Sequence, residues 1–186
     1  MDRELRRIFE MTDSQTVQAC RHVDDPRVGL PMTQELEVFK MFLEDTGLFI
    51  TLCFYDRDFS DNVIYKGLIN GRLPANLGYV YENSVAQGLK AAGYRLYYHT
   101  FLKDDGKHRY EVDFIIPSGK KVCPVEVKSS NVSSHASLDA FMEKHSKDVD
   151  KGIIISPKNL REEGNVLYLH EDELIPDALE IIKEAK

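Results

Sequence analysis

The chain has 186 residues, 42% hydrophobic and 30% charged, with a formal net charge of −7. That balance suits one globular domain with at most a small appendage, and it excludes collagen-like, low-complexity and wholly disordered chains. The longest apolar run, Leu48 to Tyr55, is interrupted by Thr51 and falls well short of the roughly 20 residues that a membrane span needs.

In chain order, residues 1–70 read as a helical extension. Leu5, Ile8 and Phe9 recur at helical spacing, and a second helix is expected from Asp13 or Ser14, both good N-caps. A third is expected after Pro31, capped by Thr33, with Leu36, Phe39 and Leu43 as its apolar stripe and Asp45-Thr46-Gly47 as its end. The turn-rich segment from Asn70 to Gly78 marks the boundary to an α/β domain over 71–186.

That domain opens on a helix from Tyr79 to Ala92, with Val85, Ala86 and Leu89 on one face and Gly93 as its C-cap. Strands follow over Tyr94–Phe101, Tyr110–Ile116 and Lys121–Lys128, the last two joined by a hairpin turn at Pro117–Lys120. A helix capped by Ser137 precedes the apolar run Gly152–Ser156, which reads as a buried central strand. A strand at Val166–Leu169 and a helix at Leu174–Ala185 close the chain, giving an α/β sheet flanked by helices.

Three distant cysteines imply no disulfide framework, and the six histidines show no zinc-ligand spacing. The N-terminus has no apolar signal core, so a cytoplasmic location is expected, and Asn131-Val132-Ser133 is an accidental glycosylation motif. The negative net charge argues against a dedicated nucleic-acid binder, whose footprint is basic. Residues 90–128, however, hold eight Lys or Arg against five Asp or Glu.

The same segment holds the residues that suit chemistry. Glu126 and Lys128 are two apart on one strand, so they share a face, with Val125 and Val127 opposite. Buried without use, that acid and lysine would be costly. Asp113 is the one charge within Val112-Asp113-Phe114-Ile115-Ile116, and a bend in the hairpin would bring it to the same sheet edge as Glu126. Two carboxylates and a lysine suit a divalent-metal phosphodiesterase, with Mg²⁺ or Mn²⁺ as the ion. Glu82, near the start of the preceding helix, is either a further acid of the site or a first-turn partner of the helix dipole. Tyr94, Tyr97 and Tyr98 suit base stacking, though alternate tyrosines on a strand more often pack.

Glu82, Asp113 and Glu126-Val127-Lys128 on this order of elements resemble the PD-(D/E)XK nuclease superfamily. Five blocks, Phe42–Leu48, Gly78–Ala86, Tyr97–Thr100, Glu111–Phe114 and Pro124–Ser130, also resemble the uncharacterised domain found C-terminal to bacterial and archaeal AAA-type ATPases. The resemblance implies a restriction-endonuclease-like core that hydrolyses DNA. Asp113, Glu126 and the Val127 carbonyl would hold Mg²⁺ or Mn²⁺, Lys128 would be the catalytic lysine, and Glu82 would join the metal directly or through water. Tyr81, Ser129 and Ser130 would flank the site. The alternative is a catalytically silent module of the same fold that binds a partner or regulates an ATPase. No P-loop motif occurs in the chain, so ATPase activity would have to come from a longer or separate chain.

Overall fold

The computed structural model describes residues 3–54, 66–67, 77–129, 135–157 and 161–170. Helix α1 (Arg3–Asp13) leads into strands β1 (Val17–Val23) and β2 (Gln34–Leu43), an antiparallel pair. Helices α2 (Thr46–Cys53) and α3 (Leu77–Ala91) come next. They are followed by β3 (Tyr97–Leu102), β4 (Arg109–Val112), β5 (Phe114–Ser118), β6 (Lys121–Val127), α4 (Ala136–Lys144), β7 (Gly152–Ser156), β8 (Arg161–Glu163) and β9 (Val166–His170). The strands make two mixed sheets, ordered β2-β1-β3-β4 and β5-β6-β7-β9-β8, so the protein is mixed α/β.

The first half departs from the helical expectation. Among the described residues α1 and α2 are helices there, with a 3-10 turn at Leu30–Met32, but the segments expected to be helical from Asp13 and after Pro31 are mainly β1 and β2. The chain leaves α1 through Gln15 at φ +56°, and β1 then lies between β2 and β3, hydrogen-bonded on both edges. Leu36, Phe39 and Leu43 do fit a helical period, but Glu35 to Val38 alternate polar and apolar, and strand pairing decides. Asp45, expected to end a helix, begins one instead: its side chain accepts the Leu48 N–H at 2.7 Å.

The second half follows the expected order, apart from an added edge strand, β8, and a helix α4 that already contains Ser137, its expected cap; two further changes shape the site. First, the strand expected over Tyr110–Ile116 is split at Asp113 into β4, at the edge of one sheet, and β5, at the edge of the other. Second, the hairpin turn is narrower than expected. Ser118 pairs with Lys121 across Gly119-Lys120, and Gly119 sits at φ +57°, as a two-residue turn with glycine first requires. Gly93, at φ +87°, follows α3 as its expected C-cap. Most of the boundary at 70–78, the closing helix at Leu174–Ala185, Ser130 and the Asn131 motif lie outside the described residues.

One core joins the two sheets. Val85, Ala86 and Leu89 of α3 pack with Cys20, Phe42 and Tyr98 of the first sheet and with Phe114, Ile116, Val125 and Ile153 of the second. Tyr97 and Tyr98 are buried, which gives them to packing rather than to base stacking. His99 is buried too; it donates its Nδ1 hydrogen to the Val23 carbonyl at 2.7 Å, and burial pushes it down to about 4, so it is neutral at pH 7. Among the described residues no helix is long and apolar enough to cross a membrane.

The rings of Phe42 and Phe114 stand 5.5 Å apart and connect β2 to β5. A double-mutant cycle of Phe42→Leu and Phe114→Leu, read by denaturant unfolding, is expected to give a coupling of about 0.5–1.5 kcal/mol within a single transition. Additive effects, or two separate transitions, would mean that the β1–β2 hairpin folds on its own.

Candidate functional site

Asp113 is the single residue between β4 and β5, at the point where the chain passes from one sheet to the other. The last pair of the β5–β6 ladder near it is Phe114↔Val125, so one step further in antiparallel register Asp113 stands beside Glu126. Its Oδ2 accepts the Val127 N–H at 2.8 Å. The narrow Gly119-Lys120 turn therefore sets this juxtaposition directly, where the sequence argument had relied on a bend.

Glu126 is 5% exposed. Its Oε1 lies 2.5 Å from Lys128 Nζ, and its Oε2 accepts the Leu138 N–H at 3.2 Å in the first turn of α4. The side chain of His135, at the N-cap position, makes no capping bond. Glu126 thus supplies from β6 an acceptor that the helix's own cap does not, and the positive end of the helix dipole favours its charge. Lys128 lies just beyond the end of β6, and its backbone N–H donates to the Ile155 carbonyl at 2.8 Å. Asp113, Glu126 and Lys128, singled out from the sequence, are brought together.

Glu82, in the second turn of α3, faces the same cluster from another side. Its charge is the first among those that push Asp113 upward. Burial is the larger cause, and the Val127 N–H and Lys40 oppose it, leaving Asp113 raised from 3.8 to about 7. Burial also raises Glu82, with Lys40 opposing and Glu111 reinforcing the shift.

Two residues of the cluster were absent from the sequence reading. Lys40 of β2 contacts Glu111 of β4, lies 4.0 Å from Glu82 Oε2 and sits over the Tyr98 ring at 5.0 Å. The signal for Lys40 was the alternation Leu36, Val38, Lys40, Phe42, which places one charge on an otherwise apolar strand face. Reading β2 as a helix hid it.

The donors are carboxylate oxygens, the ligand type that a hard divalent cation takes, and a buried acid raised by a second acid is the kind of group that such an ion would relieve. In kind, Asp113, Glu126 and Glu82 therefore fit Mg²⁺ or Mn²⁺. Their oxygens do not all lie within 4.8 Å of one another; Lys128 holds Glu126, and Lys40 lies 4.0 Å from Glu82. Among the described residues, the one trio of His, Cys or acid ligand atoms within 4.8 Å of one another belongs to His22, Asp24 and Glu35. That trio suits a hydrogen-bond relay instead. The Thr100 N–H donates to His22 Nε2 at 3.2 Å, which puts the ring hydrogen on Nδ1, where it is donated to Glu35 at 2.6 Å. A cleft of about 740 Å³, whose lining includes Gln18, Arg21, Lys90 and Arg95, carries none of the site's acids.

Fold and site together define a mixed α/β domain with an acid-and-lysine centre where its two sheets meet. The chain belongs to the family described as Domain of unknown function (DUF4143), which matches residues 77–171, just over half its length. No curated protein and no solved structure matches it.

Asp113 gives a pH signature with a defined sign. Its folded-state value lies above the ordinary one, so its contribution to stability is full below about pH 4 and is lost as the pH rises towards 7. Asp113→Asn keeps an acceptor for Val127 and does not titrate. Above pH 7 it is expected to be more stable than the parent by on the order of 2–3 kcal/mol, a difference that shrinks towards pH 4 in denaturant titrations.

Proposed function

We propose that the protein is a metal-dependent nuclease that hydrolyses DNA phosphodiester bonds, built on a restriction-endonuclease-like core and working with an AAA-type ATPase. The observation that carries this reading is the β5–β6 register, which sets Asp113 beside Glu126 with Lys128 on the same carboxylate. The family supports the ATPase partner, since its members typically occur with AAA-type ATPases.

Asp113, Glu126 and the Val127 carbonyl would hold Mg²⁺ or Mn²⁺, with Glu82 as the outer acid on α3. Such an ion, when bound, polarises a phosphate and lowers the pKa of a water. Asp113 keeps its Oδ2 aimed by the Val127 N–H. Glu126 keeps Oε2 on α4, and Lys128 would have to leave Oε1 for that oxygen to serve as a ligand. That movement frees the Lys128 ammonium for the charge that builds on the scissile phosphate. The β3–β4 hairpin offers phosphate contacts through Lys103, Lys107 and Arg109. Of its two acids, Asp104 and Asp105, the second is already committed to the Lys107 and His108 amides and to the His108 ring. From Arg109 to Asp113 the chain spans about 13 Å at strand rise, so a backbone gripped there would run towards the acids.

Linear, nicked and branched DNA should be cleaved in Mg²⁺ or Mn²⁺, with a rate that falls steeply with salt. Asp113→Ala, Glu126→Ala and Lys128→Ala should each lower that rate by about 100-fold or more. No cleavage of any of these substrates, together with no saturable Mn²⁺ binding that depends on Asp113 and Glu126, would instead support the silent module that regulates an ATPase.

A further inference from the structure

We propose that Lys40 is a tethered cation that stays beside the acid cluster and, by repelling a divalent ion bound there, sets how tightly that ion is held. The inference rests on the metal-site reading above and assigns Lys40 a positioning role rather than a catalytic one.

Lys40 reaches the cluster from β2, in a sheet that contributes neither Glu82 nor Glu126. Its ammonium is shared among acids from separate elements: in contact with Glu111 on β4, 4.0 Å from Glu82 on α3, and within the field of Asp113 at the β4–β5 junction. Beneath it the Tyr98 ring lies 5.0 Å away, a face that binds a cation without using a carboxylate. These partners divide naturally. Glu111 and Tyr98 form a resting place that does not involve the residues expected to hold metal, whereas Glu82 and Asp113 belong to the metal set.

A divalent ion that recruits Glu82 and Asp113 therefore need not expel Lys40. It only has to take over two of the charges that the ammonium offsets. Two positive centres within a few ångströms repel each other strongly in a partly buried site, so the lysine lowers metal affinity while keeping several neighbouring carboxylates compatible with folding. The β1–β2 hairpin, outside the family match at 77–171, thereby contributes to a site whose acids all lie within that match.

The test is Mn²⁺ titration of the full chain by calorimetry at pH 8, comparing the parent with Lys40→Met, Lys40→Gln and Lys40→Arg and checking each fold by circular dichroism. Lys40→Met is expected to bind Mn²⁺ at least about tenfold more tightly, and Lys40→Arg, which keeps the charge, to bind like the parent. Should the methionine variant not fold, the glutamine variant carries the same expectation. Tighter binding by a charge-removed variant supports the proposal even if the parent itself shows no saturable binding. Parent binding that is unchanged or weakened by loss of Lys40 overturns the proposal and leaves the metal site standing. No binding by the parent or by any variant overturns both.

Discussion

The passage of the chain from one sheet to the other through a single residue is the constraint on which the site depends. Strands β4 and β5 belong to different sheets, and Asp113 alone separates them. A lone residue at such a corner cannot pair in either ladder in the ordinary way, so its side chain does the pairing, with Oδ2 taking the Val127 N–H of the neighbouring strand. The carboxylate thus completes the sheet and heads the acid cluster at once. The same hydrogen bond fixes its position against Glu126, because the amide it accepts, that of Val127, belongs to the residue next to Glu126 on β6.

The charge balance around that corner follows from burial. Glu126 is almost fully covered, and burial raises both Asp113 and Glu82. Carboxylates in such surroundings are costly unless cations or amide hydrogens compensate them. Two lysines and two backbone amides do so here. Lys128 and the Leu138 N–H serve Glu126, the Val127 N–H serves Asp113, and Lys40 offsets Glu82 and Glu111. Asp113 has the Val127 N–H and the field of Lys40 against burial and the charge of Glu82, and burial, the largest cause, leaves it raised to about 7.

The N-terminal half belongs to this architecture. β1 lies between β2 and β3, Cys20 and Phe42 join the core organised around α3, and β2 delivers Lys40. The family match begins only at residue 77, yet the electrostatics of the acids it covers depend on a strand that precedes it.

The alternation of helix and strand after residue 77 was legible in the sequence, and so were Glu82, Asp113, Glu126 and Lys128. Buried charges on Val- and Ile-rich strands are conspicuous, because solvation cost makes them rare without a purpose. The strand character of β1 and β2 was not legible. Residues such as Leu36, Phe39 and Leu43 satisfy a helical period, and hydrogen bonds from a strand distant in sequence, β3, overrode local preference. Nor was the break at Asp113, since a run of β-formers carries no mark of where it changes sheets. Local sequence thus determined which charged groups stand among apolar strand residues and which elements carry most of them. Long-range strand pairing decided that Lys40 and Glu111 join them, because only the packed sheets bring residues 71 positions apart within reach of a single ion pair.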